Sequence, residues 1–278
     1  MENRAQALRS IPYEATEAIA KDAEKSNLRL LRFPKISLII PVFQEEKILE
    51  ETLKCYPKDL LERFNTEIII SDGGSIDRTI EIAKNYANKI VIHQEDRKQT
   101  ISEGRNMGAE AATGDIFVFI NGDTVPKDVE YFLGFIRNWF IGNDKLSYCG
   151  ALACPVTIQP EKIMIKDKIF YNTHNTYVKL LNTVGVGMGR GECQIVKADV
   201  FRKVGGYNST IAAGEDFDLY RRISKVGKVG FADNIWVYES PRRFRRYGYL
   251  KIIWQWLFNA LAVMVTGKSV SDEWEAVR

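Results

Sequence analysis

The sequence lacks several features that would settle its class at once. Its four cysteines, Cys55, Cys149, Cys154 and Cys193, form no C-x-x-C pair. That argues against zinc or a disulfide framework and predicts free thiols, two of them within apolar, strand-like runs. No G-x-G-x-x-G follows the first apolar strand, which argues against a dinucleotide-dependent dehydrogenase. A formal net charge of +3 on 278 residues is too small to imply a nucleic-acid partner unless the cations cluster. Internal repeats and low-complexity segments are missing as well. The first 25 residues contain no apolar core of signal-peptide length, so the expectation is a chain that stays in the cytoplasm.

What is present is a core-forming composition, 45% hydrophobic and 27% charged, enough for one large α/β domain. A polar, helical leader is expected over 1–35. "KISLIIPVF" then reads as a buried strand ended by Pro41, followed by a helix in "EEKILEETLKCY". "TEIIISDGGS" and "KIVIHQ" are further strands, with a helix in "DRTIEIAKNYA" between them, and "ISEGRNMGAEAAT" is a helix before the strand "GDIFVFINGDT". Such alternation predicts βαβ units and a Rossmann-type, mainly parallel sheet flanked by helices. Ligands of such sheets sit at the carboxyl ends of the strands.

Three strand ends carry "PVFQEE", "SDGGSID" and "NGDT". One such end is an ordinary turn; three on one edge make a site. Asp72 stands where a nucleobase can enter, and its carboxylate can accept the imide N–H of uracil or the N–H groups of guanine. Asp123 ends an apolar strand and is held as a hard divalent cation requires of an oxygen ligand. Mg²⁺ or Mn²⁺ bridging a diphosphate there would neutralise charge on a departing nucleotide.

In this order, "IPVFQEEKILEETL", "IIISDGGSIDRT", "GRNMGAEAATGDIFVFINGDT", "VGGYN" and "GEDFDLYRRI" resemble the inverting family 2 glycosyltransferases with the GT-A fold, over about residues 36–240. The resemblance implies that Pro41, Phe43, Glu45 and Asp72 hold the nucleotide, with Arg105, Asn106 and Gly122 lining its pocket. The family's D-x-D metal motif matches at "NGD", where Asn121 replaces the first Asp and Asp123 is kept. In "GEDFDLYRRI", Glu215, Asp216 and Asp218 stand in the first turn of an expected helix, where each carboxylate contributes roughly 0.3–1 kcal/mol through the helix dipole. The resemblance implies more for two of them. Asp216 takes the place of the general base that an inverting displacement needs, and Glu215 orients the acceptor or braces the loop, leaving Asp218 to the helix. Gly185, Gly187, Gly189 and Gly191 suggest either a mobile loop near the sugar or ordinary turns.

The segment 241–278 opens with Arg242, Arg243, Arg245 and Arg246 and continues into an apolar run with Trp254 and Trp256, interrupted by Gln255 and Asn259. That pattern predicts a helix lying in or dipping into a membrane rather than spanning it. Packing on the protein's own core or on a second subunit is the competing expectation. By resemblance, Arg242 or Arg243 faces the donor diphosphate. The whole implies a metal-dependent inverting glycosyltransferase at the cytoplasmic side of the cell membrane. It would move a hexose, mannose from GDP-mannose or glucose from a UDP donor, onto a lipid or lipid-linked acceptor. A non-catalytic sugar-nucleotide binder would need Asp72 and Asp123 but not Asp216. A sugar-phosphate nucleotidyltransferase would need a Gly-rich N-terminal loop that the sequence lacks. Nucleic acid is not expected, because carboxylate-lined strand ends repel phosphates in the absence of metal.

Overall fold

A computed structural model describes residues 33–211 and 213–266. The expected leader falls almost wholly outside them, as does the end of the 241–278 segment. The first half alternates as expected: β1 (Ile36–Val42), α1 (Leu49–Lys54), α2 (Lys58–Arg63), β2 (Thr66–Asp72), α3 (Thr79–Ala83), β3 (Lys89–Ile92), α4 (Ile101–Ala111) and β4 (Ile116–Ile120). Then come β5 (Thr124–Pro126), α5 (Val129–Phe140), β6 (Cys149–Ala153), β7 (Val156–Ile158), α6 (Ile165–Thr183), β8 (Cys193–Lys197) and α7 (Ala198–Lys203). The chain closes with α8 (Glu215–Ser224), β9 (Lys228–Phe231), β10 (Val237–Glu239), α9 (Arg242–Tyr247) and α10 (Tyr249–Thr266).

A seven-stranded sheet of order β3-β2-β1-β4-β8-β6-β9 forms the centre, with a smaller sheet β5-β10-β7 beside it. β1 runs parallel to both β2 and β4, and β2 parallel to β3. These strands read as unbroken apolar runs because helices cover both faces. Leu38, Ile40, Val118 and Ile120 face one core with Leu49, Leu53, Phe132 and Ile136. Their neighbours Ile39, Ile69, Phe117 and Phe119 face the other, with Phe201, Leu219 and Ile223. α4 starts on a capping box, in which Thr100 accepts from the Glu103 N–H and Glu103 from the Thr100 N–H. It lies so close to β1 that a Cβ on Gly108 would stand 2.4 Å from Ile39, so only glycine fits there.

Two features depart from the sequence reading, and two favour one of its alternatives. Pro41 does not end β1, which continues to Val42 against β2. Pairing with β4 stops at Ile39, and a residue without an N–H is tolerated beside that open edge. β8 lies antiparallel between β4 and β6, so its beginning, not its end, reaches the ligand-binding edge. The glycine loop before β8 is closely packed: Cβ atoms on Gly187 and Gly189 would meet Tyr220 of α8 at 2.5 and 2.6 Å. Finally, Phe244 and Ile252 are buried in the same core as β1 and β4, so the basic segment starts inside the domain. All four cysteines are free, with Cys149, Cys154 and Cys193 buried and Cys55 exposed.

Candidate active site

At the end of β2 the chain turns sharply, with Gly74 in the left-handed region at φ 90°. The Asp72 Oδ2 accepts the Gly74 and Ser75 N–H groups at 2.8 and 2.7 Å. The other oxygen, Oδ1, is buried and has no hydrogen-bond partner among the described residues. An orphaned buried acceptor costs roughly 1–3 kcal/mol, and a ligand N–H is the natural way to recover it. The loop after β1 is tied to this turn. The Gly73 N–H donates to the Val42 carbonyl at 2.9 Å, and the Gln44 N–H donates to the Ser75 hydroxyl at 2.7 Å. Phe43 and Pro41 lie beside Gly73 and Gly104.

Asp123 stands three residues beyond the end of β4 and meets Arg242 from the start of α9. The guanidinium reaches Asp123 at 3.1 Å and Glu45 at 2.9 Å. These three side chains come from three distant parts of the chain, with separations of 119 and 197 residues. Beside them lies a cavity of about 290 Å³ bordered by Thr52, Asp123, Glu239, Arg242 and Arg245. Burial raises the Asp123 pKa, and the Arg242 charge opposes the rise. Among the described residues no three His, Cys, Asp or Glu side chains gather into a metal cage. Asp123 is nonetheless a hard oxygen donor at the cavity's edge. It fits an ion such as Mg²⁺, which usually takes one or two protein carboxylates and completes its shell with water and substrate phosphates. The side-chain oxygen of Asn121 is already engaged, accepting from Arg105 at 3.2 Å. Gly122, buried between them, would bring a Cβ to 3.2 Å from Val42.

The third part is built around Arg105 of α4, which is 1% exposed. It donates to Glu215 at 2.7 Å, to the Gly191 carbonyl at 2.6 Å and to Asn121, and it stacks over the Tyr207 ring. Gly214, at φ 88°, turns the chain into α8 without a side-chain cap. Asp216 then stands half-buried, with Oδ1 accepting only its neighbour's N–H, that of Phe217, among the hydrogen bonds described. Burial, reinforced by the adjacent Glu215 charge, pushes its pKa up to about 7 despite Arg105. Asp218, two residues on in the same turn, accepts from Arg222 at 2.8 Å in an i,i+4 pair, a helix-stabilising contact.

The structure therefore gathers Asp72, Phe43 and Pro41 at one corner, Glu45, Asp123 and Arg242 at a second, and Glu215 and Asp216 at a third. Arg105 and Asn106 are both bonded to distant parts of the chain. Arg105 links the second and third corners, and Asn106 pins the "GGY" turn through both the N–H and carbonyl of Tyr207. Arg243 follows Arg242 on α9, half-buried. Sequence reasoning passed over Arg190 and Glu192. Arg190 is 2% exposed and pairs with Glu192 at 3.1 Å, and Glu239 lies 3.8 Å away. Their only signal was a charged pair set among glycines in "GRGE".

The profile of glycosyl transferase family 2 matches residues 37–203, and the chain belongs to that family. It is 32% identical over 204 residues to the glycosyltransferase AglE of Haloferax volcanii, a match covering 70% of this chain and 62% of that protein. A Methanococcus voltae enzyme, a dolichyl N-acetylglucosaminyl phosphate 3-β-diacetamidodideoxyglucuronosyltransferase, is 24% identical over 271 residues, 84% of this chain and 82% of its own. Among solved structures, the mannosyltransferase PcManGT of Pyrobaculum calidifontis, in complex with GDP-Man and Mn²⁺, superposes with a TM-score of 0.63 at 19% identity. That match covers 85% of this chain and 65% of that one. The fold is accordingly GT-A-like, with the mainly parallel sheet expected from the sequence.

Proposed function

We propose that the protein transfers a hexose from a nucleoside-diphosphate donor to a lipid or lipid-linked acceptor, with inversion at the anomeric carbon. The observation that carries this is Asp216: a carboxyl poised near neutral pH, at the same sheet edge as the unpartnered Asp72 oxygen. Phe43, Pro41 and Asp72 would hold the base, with Asp72 Oδ1 accepting its N–H. Arg242 is placed to meet the diphosphate by exchanging a carboxylate for a phosphate oxygen. A divalent ion, Mn²⁺ or Mg²⁺, would be held by Asp123 and would neutralise charge on the leaving diphosphate. Asp216 takes the acceptor hydroxyl's proton as its oxygen bonds to the anomeric carbon, while the carbon–oxygen bond to the diphosphate breaks on the opposite face. Glu215, held by Arg105, fixes the loop that carries the base.

A lipid-linked acceptor is supported by the Methanococcus voltae relative's substrate, and mannose from GDP-mannose by the solved neighbour. Glucose from a UDP donor is the other donor to be tested. Attachment of the basic, Trp-bearing segment to the cytoplasmic membrane face fits such an acceptor. No helix among the described residues is long and apolar enough to cross a membrane. Donor identity is tested by thermal-shift and turnover assays with GDP- and UDP-hexoses and Mn²⁺. Asp123→Ala is expected to abolish both transfer and the Mn²⁺-dependent gain in donor affinity; full transfer in excess chelator would contradict the metal's role.

A further inference from the structure

α6 and α10 pack side by side. Phe170 and His174 of α6 lie against Tyr249 and Trp256 of α10, with ring centroids 4.6 and 5.1 Å apart. α10 leaves a long apolar face uncovered, and α6 leaves apolar side chains uncovered towards its two ends, with exposed Asn172, Thr173 and Thr176 between them. On α6 these side chains include Ile165, Ile169 and Leu180, at 79, 64 and 59% exposure. On α10 the face includes Leu250, Trp254 and Phe258, four residues apart, with the two aromatic rings stacked. Single exposed apolar residues are ordinary on a protein surface, but several of them on adjoining helices, with Ile165 and Ile169 one turn apart on α6, mark an interaction surface.

The charges identify the partner. From Arg242 to Thr266 the sequence contains no Asp or Glu, and on α6 the sole acid, Asp167, is buried. Asp167 is bound by Arg245 and Tyr249, and although burial opposes its ionisation these contacts hold its pKa at about 2. Lys166, Lys168, Arg246 and Lys251 are exposed beside these apolar residues, while Lys179 pairs with Asp233. Apolar faces carrying aromatics, edged by cations and bearing no exposed carboxylate, complement an anionic bilayer surface.

We propose that α6 is a second membrane-contacting element, and that α6 and α10 together form a two-helix footprint lying flat on an anionic bilayer. This rests on the membrane attachment proposed above for the C-terminal segment and adds an element from the middle of the chain. Arg242, at the start of α9, precedes Leu250 by only eight residues, across the break at Gly248 that joins α9 to α10. The Asp123 edge would then lie near headgroup level, where an acceptor anchored in the bilayer presents its head.

Vesicle flotation with the full chain tests it, comparing phosphatidylcholine alone with phosphatidylcholine plus phosphatidylglycerol. The wild type is expected to float only with the anionic vesicles, and less at high salt. The double variant Ile165→Glu/Ile169→Glu should lose at least about tenfold in vesicle affinity, and Lys166→Glu/Lys168→Glu should lose about fivefold per charge, the worth of one cation near an anionic surface. Circular dichroism and thermal midpoints check that these exposed changes leave the fold intact. If Leu250→Glu/Trp254→Glu abolishes flotation while the α6 variants float like wild type, α6 is overturned and C-terminal attachment survives. If the wild type does not float, both fall. If light scattering shows a dimer that the α6 variants dissociate, without vesicle binding, the face is a subunit interface and the proposal is likewise overturned.

Discussion

Asp72 and Asp216 are two carboxylates on one edge of the sheet, and their surroundings suit them to opposite tasks. Asp72 has one oxygen held by two backbone N–H groups and the other bare, in a turn cross-tied to the loop after β1. Under the proposed function it would accept a hydrogen bond from the donor base without moving. Asp216, half-buried, has a single backbone donor among the hydrogen bonds described and a like-charged neighbour, so its preference for a proton is near balance at neutral pH. Fixed geometry serves recognition; a poised proton affinity serves chemistry.

The sharpest way to break this contrast is Asp216→Asn. Transfer should fall about 10²–10⁴-fold, the usual contribution of a general base, while donor affinity measured by calorimetry stays within twofold. The wild-type rate should rise with pH through about 7, where Asp216 loses its proton. A carboxyl whose folded pKa lies above its unfolded value binds extra protons in the native state. Its stability contribution therefore declines as pH rises from about 4 to about 7 and stays lost above. Asp216→Asn should accordingly melt higher than wild type at pH 8, although it is inactive. A variant that melts lower and still transfers sugar would leave Asp216 with only a structural role.

A smaller effect is expected at Asp72. Asp72→Ala should weaken the donor by about 1.5–3 kcal/mol, a charge-assisted hydrogen bond, which is roughly ten- to hundredfold in Kd, and should leave the pH profile's midpoint in place. A shifted midpoint would mean that the two carboxylates are not separate devices. Smallest is Asp218→Asn, two residues beyond the base. It loses the i,i+4 pair with Arg222 and a dipole contact, about 0.3–1 kcal/mol of stability, and turnover should be unchanged.

The sequence revealed the Asp72 corner more readily than the Asp216 corner, for a physical reason. Alternating strands and helices from Ile36 to Ile120 have local periodicity, and a parallel sheet delivers each strand's end to one edge, so "SDGG" and "NGD" announce their own positions. β8 runs the other way, so Gly191 and Glu192 reach that edge from a strand's beginning, which the strand-end rule does not inspect. The partners of Arg105 were hidden because they lie elsewhere in the chain; its bond to Glu215 spans 110 positions. Arg242 was anticipated by resemblance, but its grip on Glu45 and Asp123 emerges only when α9 folds back across the strand ends.

Arg105 lies beneath Asn121, Gly191 and Glu215, and its flat guanidinium sets how far apart these three stand. Under the proposed function, two molecules that must meet within a bond's length would be registered by a part buried beneath them. A lysine, with one rounded ammonium, cannot address three acceptors at fixed angles. The machine's tolerance is cut into the foundation, so the surfaces above can change to suit another sugar or another acceptor while the gap between them is kept.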